Sequence, residues 1–559
     1  MKEFIKKHSL IIFIVIVSLI RLALTANIPI VGWGSQISDD KLMLNMAVDI
    51  RAGNWLGDYT SDILVKGPSF PFLLALINFF GLSYINVMNI IYILSCAFFL
   101  YTIKDLFKTK KALAIIYLLL IFNPVSYACW TLQRIYRNGI TLSQVLIIIG
   151  SMFALYQRRD MQAKKILPFA IIGGLALASL WLTREDGIWI LPFVLIVTLI
   201  VMACIVFKNK RINLNKNSIS KVLIALLPIV ILFVSLHTVR IINYNSYGIY
   251  AYNEINDGYF GKVIKTMYSI KTDEDIQYVT VTKNKIKLMC ENSETLKKVE
   301  PKLEKVMSGW DMFDRNPGDG QVEDGWFWWA LKNTVEDEGY YKDAKTSNEF
   351  YKNVYNELQN AIKEGKLKTG ISMPATLMSP WKTKYFAELP VSMLRMSWFI
   401  ANFENVNTSN SPSEPNSTMF NVMTNDQSVP TDNEDLAKYT KKYVDRLNNI
   451  TWVYQKTGVI LTIASIVGYI FITITFIKNR KEQEVLDVWL LLTGIGCSLL
   501  VLIAGVAYNH ITACDSKNYM YLSGAYPLLI AFWGISICKM AEIVNCKVKN
   551  KVKNGGKVK

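Results

Sequence analysis

The chain has 559 residues, 52% of them hydrophobic, with 61 Lys and Arg against 44 Asp and Glu for a formal net charge of +17. That length exceeds one ordinary soluble domain, and the apolar fraction excludes a typical soluble multidomain protein. The basic excess does not call for a nucleic-acid partner, because its placement follows the rule for membrane topology instead.

About 20 consecutive apolar residues are needed to cross the hydrocarbon core. Such runs occur near Leu10 to Leu24, Ile85 to Ile103, Leu113 to Val125, Ile140 to Tyr156, Ile166 to Leu182, Ile188 to Val206, Val222 to Ile242, Val459 to Ile477, Val488 to Tyr508 and Tyr521 to Cys538. This predicts an all-α polytopic membrane protein of about ten spans. The weakest span is Leu113 to Val125, which is short and runs into Asn123-Pro124. The first run is retained as a span rather than a cleaved signal, since Arg21 interrupts it and no clear small-residue cleavage site follows.

Lysines precede the first span, and basic clusters recur at Lys104 to Lys111, Arg158 to Lys165, Lys208 to Lys221 and Lys478 to Lys481, with a Lys-rich tail after Lys547. The positive-inside rule puts both termini and these clusters in the cytoplasm of a cell membrane, and the remaining loops outside. The same parity requires Ser69 to Leu82 to be an interfacial helix on the outer surface, started by Pro68 and Pro71, rather than a span.

The predicted organisation is a transmembrane module over residues 1–243 with a first outer loop at 27–68, an extracytoplasmic mainly helical domain over 244–452, C-terminal helices over 453–540 and a basic cytoplasmic tail over 541–559. Helical periodicity is plain in Ser293 to Met307 and Trp326 to Lys366. Trp310 and the run Trp326-Phe327-Trp328-Trp329 offer faces for a sugar, but packing of a small core is the expected use. Asn405 to Asn433, rich in Asn, Ser, Thr and Pro, reads as a flexible loop. Eight scattered cysteines and three dispersed histidines show no disulfide framework and no zinc spacing.

Collected on one face, the outer loops supply Asp39, Asp40 and Lys66, then Arg134 and Arg137, then Arg184, Glu185 and Asp186, and finally His510, Asp515 and Lys517. Each has a bland use: a helix cap, a snorkelling cation, a turn between spans. Together they place carboxylates and cations at the edge of a bilayer, where pairing for function is the default expectation. No phosphate-cradling loop or dinucleotide fingerprint accompanies them. A carboxylate base with several cations and no nucleotide site fits attack on a lipid-borne phosphate ester, in which a base deprotonates an acceptor hydroxyl and positive charge stabilises the departing phosphate.

The order of apolar helix, acidic pair, "NMAVDIRAGNWLGDY", Lys-Gly-Pro and interfacial helix resembles the GT-C class of membrane glycosyltransferases, particularly the protein O-mannosyltransferase and lipid A aminoarabinose transferase superfamily. The resemblance is strongest from Leu10 to Phe107 and looser to Tyr244. It implies a GT-C transmembrane bundle in which Asp39 is the catalytic base, Asp40 stands beside it to support it or position the sugar, and Lys66 contacts the phosphate of the carrier. The family pattern is Lys-Pro, so Gly67 is a departure. Arg134, Arg137 and Arg184 are further candidates for the donor phosphate. Glu185, Asp186, Lys517 and His510 are secondary substrate-binding candidates, with "TREDG" matching an Arg-acidic-Gly turn and Lys517 standing where relatives have an arginine. The implied donor is a polyprenyl-phosphate sugar, with undecaprenyl phosphate the expected bacterial carrier. The acceptor is a cell-envelope glycan, lipid, teichoic acid or protein. No cofactor is expected, and a divalent cation between Asp39 and Asp40 is disfavoured because adjacent side chains on a helix diverge. The competing readings are a transporter or flippase, for which no internal repeat is evident, and an assembly or sensor protein.

Overall fold

Inside a bilayer every backbone polar group must find its partner within the protein, which leaves the helix as the natural form of a long apolar segment. The computed structural model describes residues 2–34, 39–208, 211–212, 215–310, 320–371, 373, 375–429, 434–479 and 482–555. Among them, nine helices are long and apolar enough to cross a membrane, or ten if one bent pair counts as a single span. The chain is an all-α, multi-pass membrane protein.

In chain order the first helices are α1 (Lys2–Thr25), α2 (Asp39–Ala52), α3 (Ser69–Phe79), α4 (Tyr84–Ile103), α5 (Lys110–Ile121), α6 (Asn138–Gln157), α7 (Ala163–Trp181), α8 (Leu191–Val206) and α9 (Lys216–Tyr247). Ser83, Thr109 and Asn215 cap α4, α5 and α9 by accepting a backbone N–H from the first turn, so these starts are set locally. A short antiparallel pair, β1 (Phe207–Lys208) with β2 (Arg211–Ile212), joins α8 to α9. α6 is buried on nearly every side and packs on α4 and α7. Small residues let the backbones approach: a Cβ on Gly173 would lie 2.7 Å from the Ser151 Cβ, and one on Gly174 3.0 Å from the Pro228 Cα.

α3 has 11 residues, too few to span a bilayer. It buries Phe70, Leu74 and Ile77 and leaves Phe72, Leu76 and Phe79 exposed, so apolar side chains occupy both of its faces. The weak span predicted at Leu113 to Val125 is broken. α5 stops at Ile121, Asn123 Oδ1 accepts from Val125 N at 3.1 Å, and the helical stretch Pro124–Gln133 continues at 49° to it. Proline lacks an N–H and disfavours helix in the residue before it, so Asn123-Pro124 cannot be threaded straight.

Residues 249–377 hold α10 (Glu254–Asp257), α11 (Tyr259–Ser269), α12 (Lys283–Cys290), α13 (Glu294–Lys297), α14 (Glu300–Trp310), α15 (Asp324–Asp337) and α16 (Ala344–Lys363), which close around a core of their own. The long periodic run Trp326 to Lys366 is two helices, because Gly339 sits at φ +79° between them. Phe327 and Trp328 are buried in that core and Trp329 is half-buried. The Trp310 side chain lies outside the described residues.

Then come α17 (Tyr385–Ala401), α18 (Thr418–Thr424), α19 (Glu434–Lys478), α20 (Gln483–Thr512) and α21 (Ala525–Gly555). At 45 residues α19 is roughly 68 Å long, well beyond one bilayer. The segment read as a loop near 405–433 carries α18 and is laced to its surroundings up to 429. Cys129 N donates to Asn407 O at 2.8 Å, Ser409 N to Gln133 Oε1 at 2.7 Å, and Ile30 N to Gln427 O at 3.0 Å. Residues 430–433 lie outside the described residues, as does the end of the basic tail, 556–559.

Candidate active site

Two aspartates open α2, where the unpaired N–H groups of a first helical turn favour negative charge. Neighbours on a helix point about 100° apart, and this divergence gives them different partners. Asp39 is half-buried and reaches Lys66 and Tyr136. Its Oδ2 lies 2.9 Å from Lys66 Nζ and accepts the Tyr136 hydroxyl at 2.8 Å. Oδ1 accepts no hydrogen bond among the described residues. Burial alone would raise this carboxyl, but the charge of Lys66, then that of Arg137, and the hydrogen bonds from Lys66 and Tyr136 outweigh it and hold the group down at about 2.

Asp40 turns inward and is fully buried. It takes both prongs of the Arg134 guanidinium, Nε on Oδ2 and Nη2 on Oδ1, each at 2.6 Å. The guanidinium is in turn enclosed by Trp33, Tyr136 and Trp130 at 4.3, 4.7 and 5.0 Å from the ring centres. Asp40 and Arg134 are thus paired with each other, and the remaining prong of Arg134, Nη1, donates to Met520 Sδ at 3.5 Å.

The other arginines are also partnered. Arg137 Nη1 donates to Thr183 O at 3.0 Å and to Glu185 at 2.5 Å, while its buried Nε has no partner among the described residues. Arg184 forks onto Asp186 at 2.7 and 2.6 Å and reaches Asn138 with its remaining prong. The structure therefore brings together Asp39, Lys66 and Arg137, with Glu185 behind Arg137, and ties Arg184 and Asp186 to each other. His510 pairs with Asp515 at 3.1 Å, and Lys517 approaches Glu404 at 3.9 Å, in clefts beside α17 that Asp39 does not line.

Lys66 is almost fully buried, with Nζ 5.8 and 5.7 Å from the ring centres of Trp328 and Trp329. The departure at Gly67 has a steric cause. A Cβ there would lie 2.0 Å from the Leu182 carbonyl oxygen, and Ser69 N donates to that same oxygen at 3.2 Å. Only glycine lets the segment carrying Lys66 press against the turn that follows α7.

Two tyrosines of the site were missed from sequence. Tyr136 lies between the two arginines of "RIYR" and binds Asp39 directly. Tyr521, in "NYMYLSG", is partly exposed and lies within the electrostatic reach of Tyr136, Asp39 and Lys66; burial, then Tyr136, Cys514 and Asp39, push its phenol up to about 12. A tyrosine carries no charge to betray it, and the chain has 28 of them.

No protein-family model and no curated protein matches the sequence. Among solved structures the chain is similar to the archaeal oligosaccharyltransferase AglB from Archaeoglobus fulgidus in complex with an inhibitory peptide and a dolichol-phosphate. The match has 10% identity and a TM-score of 0.40, over 99% of this chain and 52% of that one. A second Archaeoglobus fulgidus oligosaccharyltransferase structure, tethered with an acceptor peptide containing the NVT sequon, matches at 11% identity and TM-score 0.38 over 95% and 50%. ArnT from Cupriavidus metallidurans in the apo state matches at 12% identity and TM-score 0.33 over 95% and 78%. The chain thus spans about half the length of the archaeal enzymes.

Proposed function

We propose that this protein is a membrane glycosyltransferase of the GT-C kind, moving a sugar from a polyprenyl-phosphate donor to an acceptor hydroxyl at the extracytoplasmic end of the bundle. The observation that carries the reading is the Asp39–Lys66 pair: a half-open carboxylate with one oxygen that accepts no hydrogen bond among the described residues, bridged through the other to a buried ammonium. In the transfer the acceptor oxygen attacks the anomeric carbon and its proton passes to Asp39. The bond from that carbon to the phosphate oxygen breaks, and the phosphate leaves with the electron pair towards Lys66. Attack from the face opposite the leaving group inverts the centre in one step.

The shared oxygen adds a sequence to these events. Lys66 cannot hold Asp39 and the anionic phosphodiester of the donor equally, so an arriving donor draws the ammonium from Asp39 and restores basicity to a carboxylate otherwise held at about 2. The base is then strongest when the donor is in place. Undecaprenyl phosphate is the proposed carrier, and a hydroxyl of an envelope glycan, lipid, teichoic acid or protein the acceptor.

The test supplies the purified protein in nanodiscs with radiolabelled polyprenyl-phosphate sugars and cell-envelope acceptors. Labelled product that disappears in Asp39→Asn supports the reading. Near-normal turnover in that variant removes Asp39 as the base.

A further inference from the structure

The segment that leads to Lys66, part of the connection between α2 and α3, is strapped down mainly by the helical cluster. Tyr247 donates its hydroxyl to Gly57 O at 2.9 Å, and Tyr59 donates to Glu254 Oε1 at 2.5 Å. Glu336 takes Ser61 twice, the backbone N–H at 3.0 Å on Oε1 and the hydroxyl at 2.6 Å on Oε2. Glu254 N donates to Leu64 O at 2.8 Å, and Asn253 Nδ2 to Val65 O at 2.6 Å. Val65 is fully buried in the cluster's core, and Lys66 emerges beside Trp328 and Trp329.

A buried ion pair underlies these contacts. Lys332 and Glu254 are both buried and bonded to each other, so the carboxylate that receives Tyr59 is neutralised from behind. Tyr59 also stacks on Tyr341 and bonds Ser347 at 2.7 Å. On the far side of Lys66, Gly67 is pressed on Leu182. The ammonium is thereby held from both directions, with the helical cluster supplying one of them.

We infer that the helical cluster is a working part of the donor site, and that Glu336 is a positioning residue that fixes Lys66 opposite Asp39 through the 59–66 segment. This rests on the reading that Lys66 meets the donor phosphate. Glu336 touches neither Asp39 nor Lys66; its two hydrogen bonds from the segment both come from Ser61. A segment freed at Ser61 lets Lys66 wander, which weakens the donor complex more than the chemical step.

The experiment measures donor KM and kcat in nanodiscs for the full chain, Glu336→Ala, Glu336→Gln, Ser61→Ala and Lys66→Ala, together with backbone amide exchange. Glu336→Ala is expected to raise donor KM roughly tenfold, the scale of a hydrogen bond to a charged group, with kcat changed much less. Exchange should quicken over residues 60–66 while α15 and α16 keep wild-type protection. Glu336→Gln, whose amide oxygen still accepts the Ser61 N–H, recovers most of the donor KM. Ser61→Ala gives a smaller rise in the same direction and decides the matter if Glu336→Ala does not fold. Wild-type donor KM in Glu336→Ala despite faster exchange at 60–66, or an equal fall of kcat in Glu336→Ala and Glu336→Gln, overturns the inference. If Lys66→Ala raises donor KM and the Glu336 and Ser61 variants do not, the positioning role alone fails. If Lys66→Ala uses the donor as wild type does, the reading of Lys66 fails first.

Discussion

Asp39 and Asp40 are consecutive, identical in chemistry and placed in the same first turn of α2, yet their surroundings differ as an active site differs from a hinge pin. Asp39 shares one oxygen between an ammonium and a phenol, and its other oxygen accepts no hydrogen bond among the described residues. Asp40 is sealed, with both oxygens on one planar fork and aromatic rings around the cation. A buried bidentate pair is a poor catalyst because its partners are already satisfied, and a good brace because removing either partner strands the other charge. The brace serves the site. Arg134 lies two residues before Tyr136, and Val31 N donates to Gln133 O at 2.9 Å, so the lock fixes the segment from which Tyr136 reaches Asp39.

The comparison breaks cleanly if the two aspartates are neutralised in turn. Asp39→Asn is expected to cut turnover by about 10²–10⁴, the usual contribution of a general base, with thermal stability in detergent nearly unchanged. Asp40→Asn is expected to do the reverse in kind, costing about 3–5 kcal/mol of stability because Arg134 is left uncompensated. A scan showing equal melting temperatures for wild type and Asp40→Asn would remove the brace. Replacing both partners, Asp40→Leu with Arg134→Met, should restore much of the lost stability, since a buried pair exchanged for apolar groups of similar volume is often neutral.

Next in size is the loss of the ammonium. Lys66→Ala should raise donor KM by roughly 10- to 100-fold, the range of one charge-assisted hydrogen bond. It should also change the acid side of the pH profile. The carboxyl of Asp39 is depressed in the folded protein, so the ionised form and its pairing persist above the ordinary carboxylate range and are lost only as pH falls through about 2. The kcat/KM profile, which reports the free enzyme, should therefore show no acidic limb from Asp39 above pH 4 in the wild type. In Lys66→Ala the main counter-charge is gone and the limb moves up. In wild-type kcat, which reports the donor complex, a limb at higher pH than in kcat/KM is expected if the donor draws Lys66 away. Superimposable acid limbs in the two profiles would refute the shared-oxygen sequence of events.

The same contrast marks how far the sequence was legible. Hydropathy located the spans because that signal is local, and the one read as weak, where Leu113 to Val125 runs into Asn123-Pro124, is the one that bends. The 45-residue reach of α19 could not be read this way, since only its apolar half carries a membrane signal and its first turns look like any polar helix. At the site, Asp39 and Lys66 stood out because both lie in one loop and carry charge. The locking of Asp40 to Arg134 spans 94 residues of sequence, and nothing local distinguishes an arginine that will be caged by three rings from one that will meet a phosphate. Residues 405–433 read as a loose loop from their Asn, Ser and Thr content, but the backbone of the segment is tied to distant side chains, Ser409 N donating to Gln133 Oε1 and Thr408 N to Asn448 Oδ1.

The smallest expected effect is also the most discriminating. Tyr136→Phe removes one hydroxyl from Asp39 Oδ2 and leaves the ring against Arg134, so packing and the Asp40–Arg134 brace survive. Turnover should fall only a few-fold, by about the net worth of one hydrogen bond. The acid limb of kcat/KM should shift upward by less than in Lys66→Ala, because the phenol contributes a hydrogen bond to the carboxylate and the ammonium contributes both a hydrogen bond and the larger charge term. In the double variant the shift should exceed the sum of the two single shifts, since both groups act on one oxygen and each gains from the absence of the other. Fully additive shifts would mean that Lys66 and Tyr136 reach Asp39 independently, and that the single shared oxygen is not what sets its basicity.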